Sequence, residues 1–186
     1  MKENIQLQVK GSTVAFKGIF FSGGEPHVVI ENPEILANNP VRINARVGLP
    51  EDFMMLLALK DAAKRCNPSR LDLFLPYFPG ARQDREERGY ALSAKMYADL
   101  INLQGYDRLS ILDPHSPVTP ALLDRVEIMP HTHLVKYFIR DENVVGIICP
   151  DAGAERRTLE LAAAIGCDNV VFARKKRDPR TGSLSG

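Results

Sequence analysis

Cysteine is scarce in this sequence. The three cysteines, Cys66, Cys149 and Cys167, are odd in number and far apart, and no CxxC pair occurs. Their number and spacing therefore indicate neither a disulfide framework nor a zinc site. Such sparing use of cysteine fits a reducing cytoplasm, which is where we expect the protein to work.

The sequence also lacks a marked excess of charge of either sign and a long apolar run. Its 24 basic and 23 acidic residues give a formal net charge of +1, so charge alone points to neither nucleic acid nor a membrane surface. No apolar run approaches the roughly 18 to 20 residues of a membrane span. Residues 1–11, MKENIQLQVKG, alternate polar and apolar, unlike the apolar centre of a signal peptide. We expect no membrane and no nucleic-acid partner.

The residues that are present have the balance of an ordinary globular protein. The chain of 186 residues is 45% hydrophobic and 25% charged. A chain of this length can form one large domain, or one domain and part of a second.

The spacing of the apolar residues predicts β-structure first and strand–helix alternation afterwards. Residues 5–16 alternate with period two around Lys10-Gly11, which predicts an N-terminal β-hairpin. Pro50 opens a helical pattern, and apolar strands then alternate with helices, one of which Ser93 is expected to cap. This alternation is typical of an α/β fold: a mainly parallel sheet with helices on both faces.

A charged stretch, RDEN at residues 140–143, is the expected domain boundary. Residues 1–140 are predicted to form a first domain, and residues 141–186 the start of a second. The apolar strand NVVFA, residues 169–173, is followed at once by the polar segment RKKRDPRTGSLSG. Because so apolar a strand calls for further packing elements, we expect the second domain to be truncated.

Four loops, each at the carboxyl end of a predicted strand, hold most of the unusual chemistry. In an open α/β sheet such loops border the crevice in which ligands bind. Their notable side chains are Arg82, Gln83, Asp84 and Arg85 in the first loop, Asp113 and His115 in the second, Asp151, Arg156 and Arg157 in the third, and Lys175, Lys176 and Arg177 in the fourth.

These loops combine the groups that a phosphate–metal site needs. Arginine forks match phosphate oxygens bidentately. Asp113, His115 and Asp151 are candidate ligands of Mg²⁺, which uses few protein groups and takes substrate phosphates for the rest. Each loop also has an ordinary interpretation, as a solvated loop with local salt bridges, a structural histidine or a plain turn. Their recurrence at four strand ends favours the phosphate–metal site.

Three segments follow motifs that recur together in one enzyme family. They are PYFPGARQDR at residues 76–85, LSAKMYADLINLQGYDRLSILDPH at 92–115 and VVGIICPDAGAERRTLELA at 144–162. The corresponding family patterns are PYFxYARQDR, ISAKLxADLLxxAGADRVxxxDLH and SPDxGGxxRAxxLA. In order and approximate spacing the chain thus resembles the ribose-phosphate pyrophosphokinases, or phosphoribosyl pyrophosphate synthetases, and we expect it to lack their C-terminal part.

The resemblance implies a fold, an activity and an assembly. It implies phosphoribosyltransferase-like domains and the Mg²⁺-dependent transfer of the β,γ-diphosphoryl group of ATP to the 1-hydroxyl of ribose 5-phosphate, with release of AMP. It also implies a homo-oligomer whose nucleotide site is shared, because the segment FFSGGE, residues 20–25, matches a loop of the form FxDGE that reaches the neighbour's nucleotide. The positions carried over are Phe21, Glu25, Arg82, Gln83 and Asp84 for ATP, Lys175, Arg177 and His115 for catalysis, His115 and Asp151 for the metal, and Asp151 for ribose 5-phosphate.

The sequence departs from the family pattern in ways that keep a second interpretation open. Gly23 stands where the family has aspartate, and Ala154 where a second glycine is usual. The family's ribose-5-phosphate loop, of the type DDxxxTGGT, does not occur in the sequence. Gly23 and Ala154 favour a catalytically silent relative that binds nucleotide or regulates an active partner, whereas Lys175 and Arg177 favour an active enzyme.

Two further alternatives are weaker. A phosphoribosyltransferase for nucleobases shares the domain fold but has no need of the ARQDR motif. A nucleic-acid binder with a basic tail is disfavoured by the near-neutral net charge of the chain.

Overall fold

The computed structural model of the chain describes residues 4–173 together with the backbone of Lys176–Arg177 and Leu184–Ser185. The chain divides into two compact units, Met1–Met129 and Pro130–Gly186. The predicted boundary after residue 140 stays a prediction. No helix among the described residues is long and apolar enough to cross a membrane.

A six-stranded mixed sheet organises the first unit. Its strands lie in the order β2-β1-β5-β6-β7-β8, antiparallel from β2 to β5 and parallel from β5 to β8, while β3 and β4 form a separate hairpin. The strands are β1 (Ile5–Val9), β2 (Ser12–Val14), β3 (Phe16–Phe20), β4 (Pro26–Ile30), β5 (Pro40–Ala45), β6 (Arg70–Leu75), β7 (Arg108–Leu112) and β8 (Val126–Met129); the helices are α1 (Pro50–Arg65), α2 (Ser93–Gln104) and α3 (Val118–Ala121), with a 3-10 turn at Pro33–Leu36.

The predicted N-terminal hairpin is present and turns where the sequence indicates. Lys10 and Gly11, between β1 and β2, both have positive φ angles, of 51° and 83°. Such a pair of angles is what a two-residue type I′ turn requires, and glycine adopts them without steric cost.

The hydrophobic core lies on one face of this sheet. Burial alternates along the strands. The core positions Leu7, Ile43, Leu73 and Ile111 are at most 1% exposed. On β1, β5 and β6, the residues on either side of these core positions are more exposed. This period of two is what a strand with one buried face produces. The parallel pairing of β5, β6, β7 and β8 confirms the predicted α/β fold with a mainly parallel sheet.

Both long helices of the first unit cover this same face. The rings of Phe53 in α1 and Tyr97 in α2 meet edge to face, 5.1 Å apart between centroids. The reason is topological: β5, β6 and β7 follow one another in a single direction along the sheet, and right-handed crossovers in one direction place their helices on one side. The opposite face is polar, with the Arg42 guanidinium 4.9 Å above the Phe74 ring.

The β3–β4 hairpin packs on α1. Val28 and Ile30 of β4 join the core, and a Cβ atom on Gly18 of β3 would lie 2.9 Å from the Met55 sulfur. Glycine at this position lets the strand approach the helix closely. The first unit is therefore layered as sheet, helices and hairpin.

The second unit is the smaller of the two, and few side chains are buried among its described residues. Its strands β9 (Ile147–Cys149) and β10 (Val170–Phe172) pair in parallel, and β11 (Lys176–Arg177) pairs with β12 (Leu184–Ser185) in antiparallel. Helix α4 (His131–Ile139) buries none of its residues, whereas α5 (Glu155–Ile165) buries Thr158 and Ala162. Several large apolar side chains of this unit are at least half exposed: Phe138, Val145, Ile148 and Val171.

Candidate functional site

A pocket of about 540 Å³ opens where β6 and β7 end. These strands are parallel neighbours, so the loops that follow them emerge side by side at one edge of the sheet. The lining residues are Arg82, Gln83, Asp84, Arg85, Glu87, Tyr90, Ala91, His115 and Ser116. The structure thus brings four of the predicted site residues, Arg82, Gln83, Asp84 and His115, into one pocket; their roles stay predictions.

The loop after β6 is held by a chain of backbone hydrogen bonds. The Gln83 N–H donates to the Gly80 carbonyl (2.9 Å), and the Gln83 carbonyl accepts from the Ala94 N–H in the first turn of α2 (3.1 Å). Ser93, predicted to cap α2, is instead its first helical residue, and Leu92 precedes it without a side-chain cap. The Gln83 carbonyl satisfies a donor that a capping side chain would otherwise serve.

Gly80 allows this loop to fold back on α2. Its φ is +72°, and a Cβ atom there would lie 2.9 Å from the Ser93 carbonyl carbon. Any other residue would meet both the strain of positive φ and a backbone clash. The glycine of the PYFPGARQDR stretch therefore fixes where Arg82 to Arg85 lie.

A side-chain hydrogen bond joins the two loops of the pocket. The Ser116 hydroxyl donates to Asp84 Oδ2 at 2.5 Å, and the same Ser116 oxygen accepts from the Val118 N–H at 3.2 Å. Ser116 was not among the predicted site residues, although a serine just before a helix is an ordinary capping signal. Tyr90 and Glu87 were likewise missed, because nothing in their local sequence shows that they face a pocket.

The pocket carries charges of both signs. Arg82 and Arg85 supply guanidinium groups, and Asp84 and Glu87 supply carboxylates. Arg82, Arg85, Glu87 and His115 are exposed, whereas Asp84 is half-buried. Forked cations beside carboxylates suit a phosphate chain accompanied by a divalent cation, because the arginines meet phosphate oxygens and the carboxylates meet the metal.

Two of the predicted ATP contacts, Phe21 and Glu25, do not line this pocket. Phe21 and Glu25 flank the turn between β3 and β4, where the Phe21 N–H donates to the Glu25 carbonyl at 3.0 Å. The Phe21 ring is 55% exposed and lies 5.8 Å from the His27 ring. Gly23 sits in the same turn, where a Cβ atom would lie 2.6 Å from a Glu25 carboxylate oxygen.

Asp151 belongs to the second unit, at the carboxyl end of β9. Its Oδ1 accepts from the Ala154 N–H at 3.1 Å and so caps the short 3-10 turn Ala152–Ala154, which leads into α5. Ala154 therefore keeps the turn without the second glycine that the family pattern carries there. The described residues hold no group of three or more His, Cys, Asp and Glu side chains placed to bind a metal ion, and the predicted metal role of His115 and Asp151 stays a prediction.

The two predicted catalytic residues of the fourth loop cannot be placed. Lys175 lies outside the described residues, and Arg177 is described only by its backbone, in β11.

Fold and pocket together define a class: an α/β protein with a phosphate-compatible pocket at the carboxyl ends of its parallel strands. A sequence profile of the N-terminal domain of ribose phosphate pyrophosphokinase matches residues 2–105. The chain belongs to the ribose-phosphate pyrophosphokinase family, as the sequence motifs indicate.

Individual relatives agree with this assignment. The ribose-phosphate pyrophosphokinase of Aquifex aeolicus is 32% identical over 166 residues, covering 86% of this chain and 53% of that protein. That of Mycobacterium bovis is 35% identical over 151 residues, covering 78% of this chain and 44% of that protein. The crystal structure of phosphoribosylpyrophosphate synthetase from Mycobacterium smegmatis superposes with a TM-score of 0.73 at 25% identity, covering 96% of this chain and 60% of that one. The chain thus spans about half the length of the curated relatives it matches.

Proposed function

We propose that the pocket between the β6 and β7 loops binds ATP with Mg²⁺, and that the protein transfers the β,γ-diphosphoryl group of ATP to ribose 5-phosphate. The observation that carries the proposal is the convergence of Arg82, Gln83, Asp84 and His115 in one pocket. The sequence motifs place these residues on two different loops. Because β6 and β7 are parallel neighbours, both loops emerge at the same edge of the sheet and can contact one ligand.

The reaction requires charge neutralisation more than covalent chemistry. The oxygen of the ribose 1-hydroxyl bonds to the β-phosphorus, the bond from that phosphorus to the α,β-bridging oxygen breaks, AMP leaves with the electron pair, and the hydroxyl proton is released. In such transfers most of the rate comes from positioning and from stabilising charge on the phosphoryl oxygens. Arg82 and Arg85 supply fixed positive charge for this purpose, and His115 offers a ring nitrogen to the same phosphates.

The pocket fits a magnesium ion that arrives with the nucleotide. Mg²⁺ is usually held by one or two carboxylates, with water and substrate phosphates completing its shell. Asp84 and Glu87 line the pocket beside the arginines and would serve as these carboxylates. When bound, the ion would draw charge from the phosphate oxygens.

The remaining site residues complete the proposal outside this pocket. Asp151, at a helix start, would bind ribose 5-phosphate and its metal, and Lys175 and Arg177 would act on the transferred group. The exposed Phe21 and the neighbouring Glu25 would reach the nucleotide of a second subunit in a homo-oligomer, since they do not line the pocket of their own chain.

The first prediction is that ATP binds in the presence of Mg²⁺ and that Arg82→Ala weakens this binding. Loss of a charge-assisted bond to phosphate is expected to lower the affinity by roughly 10- to 100-fold. Isothermal titration of the 186-residue chain with ATP and Mg²⁺ measures the change. The matched control is Arg65→Ala, another exposed arginine, at the end of α1, whose partner is Asp61, and it should leave the affinity unchanged.

The transfer itself is tested by AMP formation from ATP, Mg²⁺ and ribose 5-phosphate, with this chain and with any longer form that its gene encodes. AMP release that depends on ribose 5-phosphate supports the proposed reaction. ATP binding without AMP release from either protein would contradict it and favour the silent, nucleotide-binding relative. Equal ATP affinity of Arg82→Ala and Arg65→Ala would remove the pocket from the proposal.

A further inference from the structure

We infer that Ser116 is a positioning residue of the proposed ATP site, which holds the Asp84 carboxylate and thereby fixes the two pocket loops against each other. The inference rests on the proposed function and deepens it. It concerns a residue for which neither the sequence motifs nor the comparisons provide a role.

The geometry around the Ser116 oxygen determines the direction of its hydrogen bond. The oxygen accepts from the Val118 N–H at 3.2 Å, which orients the side chain at the start of α3. Its hydroxyl proton is then directed to Asp84 Oδ2, 2.5 Å away and 32 residues earlier in the sequence. A hydrogen bond to a carboxylate is stronger than one between neutral groups, and it is stronger still in a half-buried position.

The backbone before Ser116 is arranged to bring it to this place. Asp113, the first residue after β7, has a φ of 41°, a left-handed conformation that few residues other than glycine adopt, Asp and Asn being the usual exceptions. Its N–H donates to the Met129 carbonyl at the end of β8, at 3.0 Å. The chain therefore turns sharply after β7 and returns towards the loop after β6.

Two consequences for the pocket follow. His115 is the immediate neighbour of Ser116, so holding Ser116 against Asp84 limits where the imidazole can lie. Asp84 lies between Gln83 and Arg85 in the sequence, so the same hydrogen bond also restricts the backbone positions of these two residues. A pocket whose parts are held in place before binding loses less conformational entropy when the nucleotide arrives. Ser116 would thus act on ATP affinity through the Asp84 carboxylate that it holds.

The test compares Ser116→Ala with Ser116→Thr by isothermal titration of the 186-residue chain with ATP and Mg²⁺. Ser116→Ala removes the donor and should weaken ATP binding about 10-fold, whereas Ser116→Thr keeps a hydroxyl and should bind within about 3-fold of the unaltered chain. If Ser116→Ala does not fold, Ser116→Val replaces it, because valine matches threonine in shape and lacks only the hydroxyl. Equal affinity of the variants with and without the hydroxyl would overturn the inference.

A second measurement, without nucleotide, separates this inference from the proposed function. The chain has four histidines, and their ring signals can be followed by NMR. Ser116→Ala should shift the His115 signal and leave His27, His131 and His133 in place, and Ser116→Thr should restore it. If the unaltered chain does not bind ATP, the proposed function fails, yet the His115 signal still decides the positioning. An unmoved His115 signal in Ser116→Ala contradicts it.

Discussion

At the scale of single residues, Tyr106 is a buried tyrosine that places a polar hydroxyl group in the core. Tyr106, which follows α2, is 6% exposed, and its hydroxyl has no hydrogen-bond partner among the described residues. The Lys60 ammonium group lies 6.0 Å from its ring centroid. Burial raises the pKa of Tyr106 above its ordinary value of 10.0, because the phenolate would lose its hydration.

This tyrosine predicts a specific loss of stability at high pH. Because burial raises the pKa of Tyr106 in the folded chain, the unfolded chain loses this proton first, and the free energy of unfolding falls as pH rises above 10.0. Tyr106→Phe should therefore be as stable as the unaltered chain or more so at pH 7, by up to about 2 kcal/mol, and its advantage should widen above pH 10. Urea denaturation at several pH values measures both effects.

The control for this prediction is Tyr137→Phe. Tyr137 is 62% exposed, so its removal should change the free energy of unfolding by less than about 0.5 kcal/mol at pH 7. A Tyr106→Phe variant that loses stability at pH 7 would show that the hydroxyl has a partner and would contradict the prediction.

Residue-scale features of the pocket could be predicted only in part. The identity of Arg82, Gln83, Asp84 and His115 as pocket residues followed from their places after apolar strands. The bond between Asp84 and Ser116 could not be predicted, because it joins loops that are distant in sequence and depends on the left-handed turn at Asp113. Local sequence patterns carry no information about such a non-local contact.

At the scale of elements, α2 illustrates how a helix is fixed to the sheet by a few side chains. Ala94, Ala98 and Ile101 are its buried residues, and they recur at intervals of four and three, on one side of the helix. Leu103 is not on this buried side of the helix and is 80% exposed. Two apolar residues of similar size on the same helix therefore have different energetic roles.

The contrast between these two residues gives a prediction for the helix. Ile101→Ala should lower the free energy of unfolding by about 2 to 5 kcal/mol, because it removes buried methyl groups and leaves a cavity. Leu103→Ala should change it by less than about 0.5 kcal/mol. Chemical denaturation of both variants measures the difference, and similar losses in the two would mean that α2 packs through another face.

The elements themselves were largely predictable, but their arrangement was not. Period-two and helical spacing located the N-terminal hairpin, α1 and the parallel strands, because these patterns reflect local burial. The one-sided cover by α1 and α2 depends on the order of β5, β6 and β7 in the sheet. Strand order is a property of the whole unit, which the spacing of residues along one segment does not encode.

At the scale of the whole molecule, the two units differ in how much they bury. The core residues that pack into one cluster all belong to the first unit, within residues 5–123. Within the described part of the second unit, α4 buries no residue, and the fully buried side chains of the chain include only Cys149 there. Local stability follows buried apolar contacts, so the units should open with different free energies.

Hydrogen exchange should show this difference. Backbone amides of β5, β6 and β7 are expected to be the most protected of the described residues, and those of α4, β9 and β10 to exchange at least about 100-fold faster. Exchange followed by mass spectrometry of peptides from each unit measures the rates. Comparable protection in both would mean that the exposed apolar side chains of the second unit are covered in solution, for example by another copy of the chain.

The polar outer face of the sheet has a consequence for the fidelity of folding. A strand that is apolar on both faces could slide by one residue against its neighbour and still bury apolar side chains. Here such a slip would turn Arg42, Asp72 and Arg108, which pair across β5, β6 and β7, from the polar face into the core. Burial of unpaired charges is so costly that misaligned sheets are rejected, and the polar face thus protects the chain against kinetic traps in its assembly.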